Sequence, residues 1–205
     1  MRNHGFRHLF MAAAFINFFL IPSIVLLPFF VEDFLMATPD WYGYIVASLG
    51  AGAMVGYVFA GTVRLKGKTR SNLVLVSLVL MSALFGVLGL IESKVPAMVD
   101  FFVVGLLNGF ININIVTILQ QTTPSKIRGR VFGVLTTLSG GLVPLAMGLT
   151  GVIADLLDQN IPLILILSGS ISAVLCGVLA FSAEFRRFMA YEPVVDSGDM
   201  ESQQS

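Results

Sequence analysis

The sequence predicts an all-α polytopic membrane protein, and three observations support that prediction. Of 205 residues, 56% are hydrophobic and only 12% are Asp, Glu, Lys or Arg, whereas soluble domains carry about 25% charged residues. The mean hydropathy is +0.89. The charge is also unevenly placed, because 23 of the 24 charged residues lie outside six long apolar runs. These observations exclude an ordinary soluble domain.

Each apolar run is long enough to cross a bilayer as a helix. The runs have 21 to 25 residues, against about 20 needed to cross about 30 Å of hydrocarbon. They show no alternation of polar and apolar positions, and lipid offers no partner to free backbone groups, so helices rather than strands are expected. The predicted spans are residues 9–31, 43–63, 71–91, 95–119, 131–154 and 161–183.

Basic residues lie almost entirely on one side of these spans, which we number one to six. Eleven of the 12 Lys and Arg residues fall on one side and only Lys94 on the other, so the positive-inside rule predicts both termini in the cytoplasm. Trp41, Tyr42 and Tyr44 agree, because they lie at the opposite end of span two, where aromatic rings favour the headgroup layer. We expect a multi-pass protein of a bacterial plasma (inner) membrane.

Composition also divides the chain along its length. Residues 1–187 form the predicted six-helix transmembrane domain, and residues 188–205 are predicted to be a disordered cytoplasmic tail, since this end is acidic and polar. Spans two and five each hold five glycines, and each is the middle span of a triplet. Because each triplet has three spans, the second triplet enters the membrane from the side opposite to the first. The pattern therefore predicts two inverted three-helix repeats, as in secondary transporters.

Glycines on one helix face predict close helix packing. Gly52 and Gly56 form a G-x-x-x-G pattern in span two, and Gly141 and Gly148 are the candidates in span five. Small residues let two helix backbones approach in lipid, where no hydrophobic force drives association. The contact is interpreted either as one that rocks during transport or as a static packing seam.

Carboxamides in apolar helices are the candidate substrate contacts. Asn17 lies in span one, while Asn108 and Asn112 lie one turn apart on the same face of span four. Exposure to lipid would be unfavourable, so these side chains should point to protein or to a water-filled cavity. They would either bind a substrate or tie helices together. Asn114 is rotated about 200° from Asn112 and is expected to bond another helix.

Asp100 is the only ionisable side chain within a span. It lies five positions after the predicted start of span four, so we expect it at the outer interface as a first-turn acid near a helix N-terminus. A proton-coupling carboxylate would be expected deeper in the membrane.

Other chemistries find no support in the sequence. It has a single cysteine, no G-x-x-x-x-G-K-[ST] phosphate loop, no H-E-x-x-H and no Ser/His/Asp set, so we predict no enzyme activity, no cofactor and no metal site. Equal numbers of basic and acidic residues, 12 each, argue against nucleic-acid binding.

Two segments on the basic side carry a family resemblance. The first has the pattern P-x-x-x-R-G-R-V-x-G and leads into the glycine-rich span five, and the second is a basic loop after span two. Their residues are Pro124, Arg128, Gly129 and Arg130, and Gly61, Arg64 and Lys66. With six spans and cytoplasmic termini, residues 6–187 resemble helices seven to twelve of a major facilitator superfamily transporter, in the branch of drug, macrolide and siderophore exporters.

The resemblance implies a secondary carrier with spans one and four beside the central cavity and spans three and six as peripheral supports. Members of that superfamily have two six-helix halves that enclose one path and rock against each other. The expected partners are therefore the lipid bilayer, a small amphiphilic substrate for efflux, and a second six-helix half, from a homodimer or a separately encoded chain. The carboxylate that couples transport to proton movement would come from that other half.

Two further functions fit the same fold. A truncated or split-gene fragment of such a transporter would insert into the membrane without transport activity of its own. A membrane anchor or regulatory subunit would bind another carrier through spans two and five.

Overall fold

The structure is a computed structural model that describes residues 18–63, 65–182, 186 and 190. Within these residues it is helical and contains no strand. Asn17, Arg64 and all of the predicted tail except Ala190 lie outside the described residues. The helices are α1 (18–25), α2 (Leu27–Phe29), α3 (Asp40–Thr62), α4 (Gly67–Val87), α5 (Lys94–Thr122), α6 (Ser125–Gly141), α7 (Val143–Leu156) and α8 (Ile161–Phe181).

Four described helices are long and apolar enough to cross a membrane: α3, α4 with the 3₁₀ turn Leu88–Leu90, α5 and α8. They coincide with predicted spans two, three, four and six. The described part of span one consists of α1, α2 and a π-helical turn, Phe30–Phe34. Span five is divided between α6 and the shorter apolar helix α7. The chain is thus a polytopic helical membrane protein, and its six spans in two inverted repeats stay a prediction.

Two helix interruptions each lie two residues before a proline. Leu26 separates α1 from α2 before Pro28, and Leu142 separates α6 from α7 before Pro144. Proline has no N–H to donate and its ring clashes with the preceding turn, which explains a break at this distance. Hydropathy alone therefore predicts one continuous span where the structure has two helices.

Interlocked glycines hold α3 against α5. A Cβ placed on Gly52 or Gly56 would overlap a backbone carbonyl oxygen of α5. In return, a Cβ placed on Gly105 or Gly109 would overlap a backbone carbonyl oxygen of α3. The two backbones therefore touch along two turns, which is the geometry that small residues permit between membrane helices.

The second close pair is α4 with α8. A Cβ on Gly169 would overlap the backbone of Gly86, and the Ser82 hydroxyl lies 3.3 Å from the Cys176 thiol. Helix α4 also contacts α5, where the rings of Phe85 and Phe101 meet edge to face with centroids 6.2 Å apart. Helix α4 thus connects the two pairs in one packed body.

We expect Gly56→Ala to lower the free energy of unfolding by about 1–3 kcal/mol, the usual effect of overpacking, because the α3–α5 contact leaves no room for a methyl group. Thermal unfolding of the purified protein in detergent measures this change. Gly50→Ala is the matched control: it lies in the same helix, its Cβ would meet nothing within 4 Å, and Ala favours helix over Gly. Equal losses in the two variants would contradict the interlocked contact.

Candidate functional site

Two carboxamides of α5 form a hydrogen-bonded pair. Nδ2 of Asn112 donates to Oδ1 of Asn108 at 3.3 Å. Asn108 is half-buried and Asn112 is exposed. Because a carboxamide has two N–H donors and an oxygen with two lone pairs, this bond uses only part of the capacity of each side chain. The pair can still bind another polar group beside the helix.

The glycine contact decides where this pair lies on α5. Asn108 follows Gly105 by three residues, and Asn112 follows Gly109 by three. At about 100° per residue, each carboxamide is therefore about 60° around the helix from the glycine that packs on α3. The pair lies at the rim of the α3–α5 contact.

Among the described residues Asn114 bonds its own helix and not another, so the expectation of an interhelical bond was wrong. Its Nδ2 donates to the carbonyl oxygen of Phe110, one turn earlier in α5, at 2.8 Å, and the side chain is buried. One N–H of its carboxamide is thus bonded within its own helix, as polar side chains in membrane helices often are. Asn108 and Asn112 differ from it in being accessible, since Asn108 is half-buried and Asn112 is exposed.

Asp100 lies deeper in the packed helices than the sequence suggests. Helix α5 begins at Lys94, so Asp100 belongs to the second turn, and its side chain is 7% exposed. One carboxylate oxygen is buried without a hydrogen-bond partner among the described residues. Its isolation in an apolar span was the signal that marks such a residue as a functional candidate, and the sequence-based interpretation set it aside.

The R-G-R segment is helical and not a loop. Helix α6 begins at Ser125, six residues before predicted span five, so Arg128, Gly129 and Arg130 lie in its first turns, after Pro124. Nη2 of Arg128 donates to the carbonyl oxygens of Gln120 at 3.0 Å and Thr123 at 3.5 Å. These carbonyls are at the end of α5, where a cation also complements the helix dipole. Arg128 therefore fastens the start of α6 to the end of α5.

The other candidate residues do not converge on one place. Gly61 lies in the last turn of α3, and Lys66 is exposed directly before α4. Gly141 ends α6 and Gly148 lies in α7, and a Cβ on either would meet nothing within 4 Å. Unlike the interlocked glycines of the α3–α5 contact, these two have no described helix backbone against them.

A separate apolar cavity of about 180 Å³ lies between α1, α7 and α8. Its polar lining consists of Thr150 and Ser168, whose hydroxyls both donate to carbonyl oxygens of their own helices. The carboxamide pair does not line this cavity. The candidate polar site and the apolar cavity are therefore different places.

We expect Asp100→Leu to raise the free energy of unfolding by about 1–3 kcal/mol, because it removes a buried oxygen that lacks a donor. Asn114→Leu is the comparison: its buried carboxamide is hydrogen-bonded, so its replacement should give no such gain. Thermal unfolding in detergent measures both. A loss of stability in Asp100→Leu would mean that the carboxylate has a partner.

The family of the chain follows from its sequence as a whole. Residues 4–204 match the profile of a family described as transmembrane secretion effectors. No curated protein matches the chain. The matched stretch covers every helix described above, including the glycine-interlocked pairs and the carboxamide pair. The chain belongs to the transmembrane secretion effector family of the major facilitator superfamily.

Proposed function

We propose that the chain is one six-helix half of a secondary exporter, which moves a small amphiphilic molecule out across the plasma membrane by alternating access. The observation that carries this proposal is the Asn108–Asn112 pair. From Asp100 to Leu119, Asn112 is the one exposed residue of α5. The most accessible place along this apolar stretch is thus occupied by a carboxamide with unused hydrogen-bonding groups.

A carboxamide that faced lipid would lose its hydrogen bonds to water without replacement. Placed beside a solute path, the pair instead offers a few polar contacts on an apolar wall, which is the usual composition of a small-molecule site. Such a wall suits a solute with an apolar body and a small number of polar groups. This favours an amphiphilic substrate over a sugar or an ion.

The exposed face of α3 supports a second half. Ile45, Gly52 and Gly56 are buried on the face towards α5. The other side keeps small residues open, since Ala47 is exposed and a Cβ on Gly50 would meet nothing within 4 Å. Small residues on a membrane helix are typical of helix–helix contacts. The glycines of α6 and α7 are equally open, so both glycine-rich spans have a free face for a partner.

An anchor or regulatory subunit is the alternative that this open face also favours. Such a subunit would contact its carrier through the open side of α3, because Gly52 and Gly56 are already occupied by α5. A transport-inactive fragment is the remaining alternative. Both predict that changes to the carboxamide pair leave efflux unchanged.

Asn108→Ala combined with Asn112→Ala should lower efflux of an amphiphilic fluorescent dye several-fold, since the polar contacts of the wall are removed. Dye accumulation in cells, normalised to protein in the membrane, measures the effect. Asn114→Ala is the matched control in the same helix. Its buried carboxamide is bonded to the Phe110 carbonyl, so this variant should leave dye efflux unchanged. Efflux that is unaffected by the double variant would remove the basis for a substrate role.

Gly50→Leu should abolish association with a second half while the fold is retained, because Leu fits the open space of this chain but obstructs a close partner helix. Crosslinking in native membranes measures association. Gly177→Leu is the matched control, since this α8 glycine also has nothing within 4 Å of its Cβ but lies outside the glycine-rich spans. Unchanged crosslinking of Gly50→Leu, or equal loss in both variants, would contradict a partner on α3.

A further inference from the structure

We propose that the groove between α4 and α8, at the basic end of these helices, binds one anionic phospholipid. Two cavities meet there, of about 600 Å³ and about 290 Å³, and they share Asn72 and Arg186 in their linings. The larger is apolar along the helices, and the smaller includes the basic residues Lys68 and Arg186 in its lining. This inference requires only the fold and is independent of the proposed transport activity.

The larger cavity has the length and character of an acyl-chain site. Its apolar lining comes from both helices: Val76, Val79, Leu80, Ala83, Ala180 and Phe181. From Asn72 to Ala83 α4 rises about 16 Å at 1.5 Å per residue. That is about half of the ~30 Å hydrocarbon core, and hence the depth of one leaflet. The groove therefore accommodates a chain that enters from one membrane surface.

The smaller cavity has the character of a headgroup site. Lys68, Ser71, Asn72 and Arg186 line it, so two cations lie where the apolar groove reaches the membrane surface. Basic pockets between membrane helices bind anionic lipid headgroups in this way. A zwitterionic or uncharged headgroup would gain no net attraction here.

Arg186 is held in place by α4. Its Nη2 donates to Oδ1 of Asn72 at 2.7 Å, and its own carbonyl oxygen accepts a bond from the Ser71 hydroxyl at 3.2 Å. Since guanidinium has five N–H donors, the bond to Asn72 leaves others for a phosphate. A side chain already fixed in position loses little freedom on binding, which favours affinity.

Among the described residues that line the two cavities, the charged ones are both basic, Lys68 and Arg186. No Asp or Glu occurs in the sequence between Asp40 and Glu92, whereas Lys66, Lys68 and Arg70 all lie near the start of α4. The first N–H groups of α4 add partial positive charge at the same end, as at any helix N-terminus. The basic charge favours an anionic ligand. The length of the apolar groove favours a lipid over a free phosphate, because only a lipid has an acyl chain to fill it.

The test uses the full chain, purified and delipidated in detergent, and native mass spectrometry with phosphatidylglycerol and phosphatidylcholine of identical acyl chains. We expect phosphatidylglycerol to be retained and phosphatidylcholine to be lost. The double variant Lys68→Gln, Arg186→Gln should lower retention by about tenfold or more, since each cation near an anionic lipid contributes about 1 kcal/mol. The control is Lys126→Gln, Arg130→Gln, two exposed basic residues of α6 that do not line the groove.

A second variant keeps the proposal testable if the loss of Arg186 also loosens the α4–α8 pair. Ala83→Phe fills the apolar end of the groove without changing charge and should also lower phosphatidylglycerol retention. Equal retention of both lipids, or wild-type retention in Ala83→Phe and in the charge variant, would overturn the proposal. Displacement of the lipid by glycerol phosphate alone would show a free-phosphate site, and would overturn it too.

Discussion

The backbone contact between α3 and α5 is the constraint on which the candidate site depends. In lipid, apolar side chains gain nothing by exchanging acyl chains for each other, so helices associate through close packing and short polar contacts. Gly52 and Gly56 on one helix, and Gly105 and Gly109 on the other, bring the two backbones together. A methyl group at any of these positions would separate the helices and shift the rim on which Asn108 and Asn112 lie. The position of the carboxamide pair thus depends on glycines of the α3–α5 contact.

The same contact gives α3 two different faces. One face is fully used by α5, and the other keeps open glycines, exposed aromatic rings and exposed apolar side chains such as Met54 and Val58. Among the described elements, α3 makes its main contact with α5. The α4–α8 pair contrasts with this, because α4 contacts both α8 and α5 and is the most buried of the candidate spans. The face of α3 away from α5 is therefore exposed among the described residues, whereas α4 and α8 are packed against each other.

Hydropathy and length predicted the α-helical membrane class and four of the spans, because those properties are local to each helix. The contacts between spans are not local, because they join residues that are far apart in the sequence. The G-x-x-x-G of α3 is visible in the sequence, but its spacing does not name a partner, and the reciprocal Gly105-x-x-x-Gly109 of α5 was not recognised. The depth of Asp100 depends on α5 beginning at Lys94. Hydropathy also cannot tell that Asn114 bonds the Phe110 carbonyl of its own helix. The break before Pro144 follows from the chemistry of proline, although a window average conceals it.

Arg128 shows that a basic residue near a membrane surface can serve topology and structure together. Counted only as charge, it contributes to the asymmetry that orients the chain. In the structure its guanidinium also satisfies the Gln120 and Thr123 carbonyls, which the end of a helix leaves without intrahelical partners. Both bonds come from one nitrogen, Nη2, while Nε is buried without a hydrogen-bond partner among the described residues. Arg128 thus helps to hold the start of α6 beside the end of α5, the helix that carries the carboxamide pair, in addition to contributing charge to the basic side.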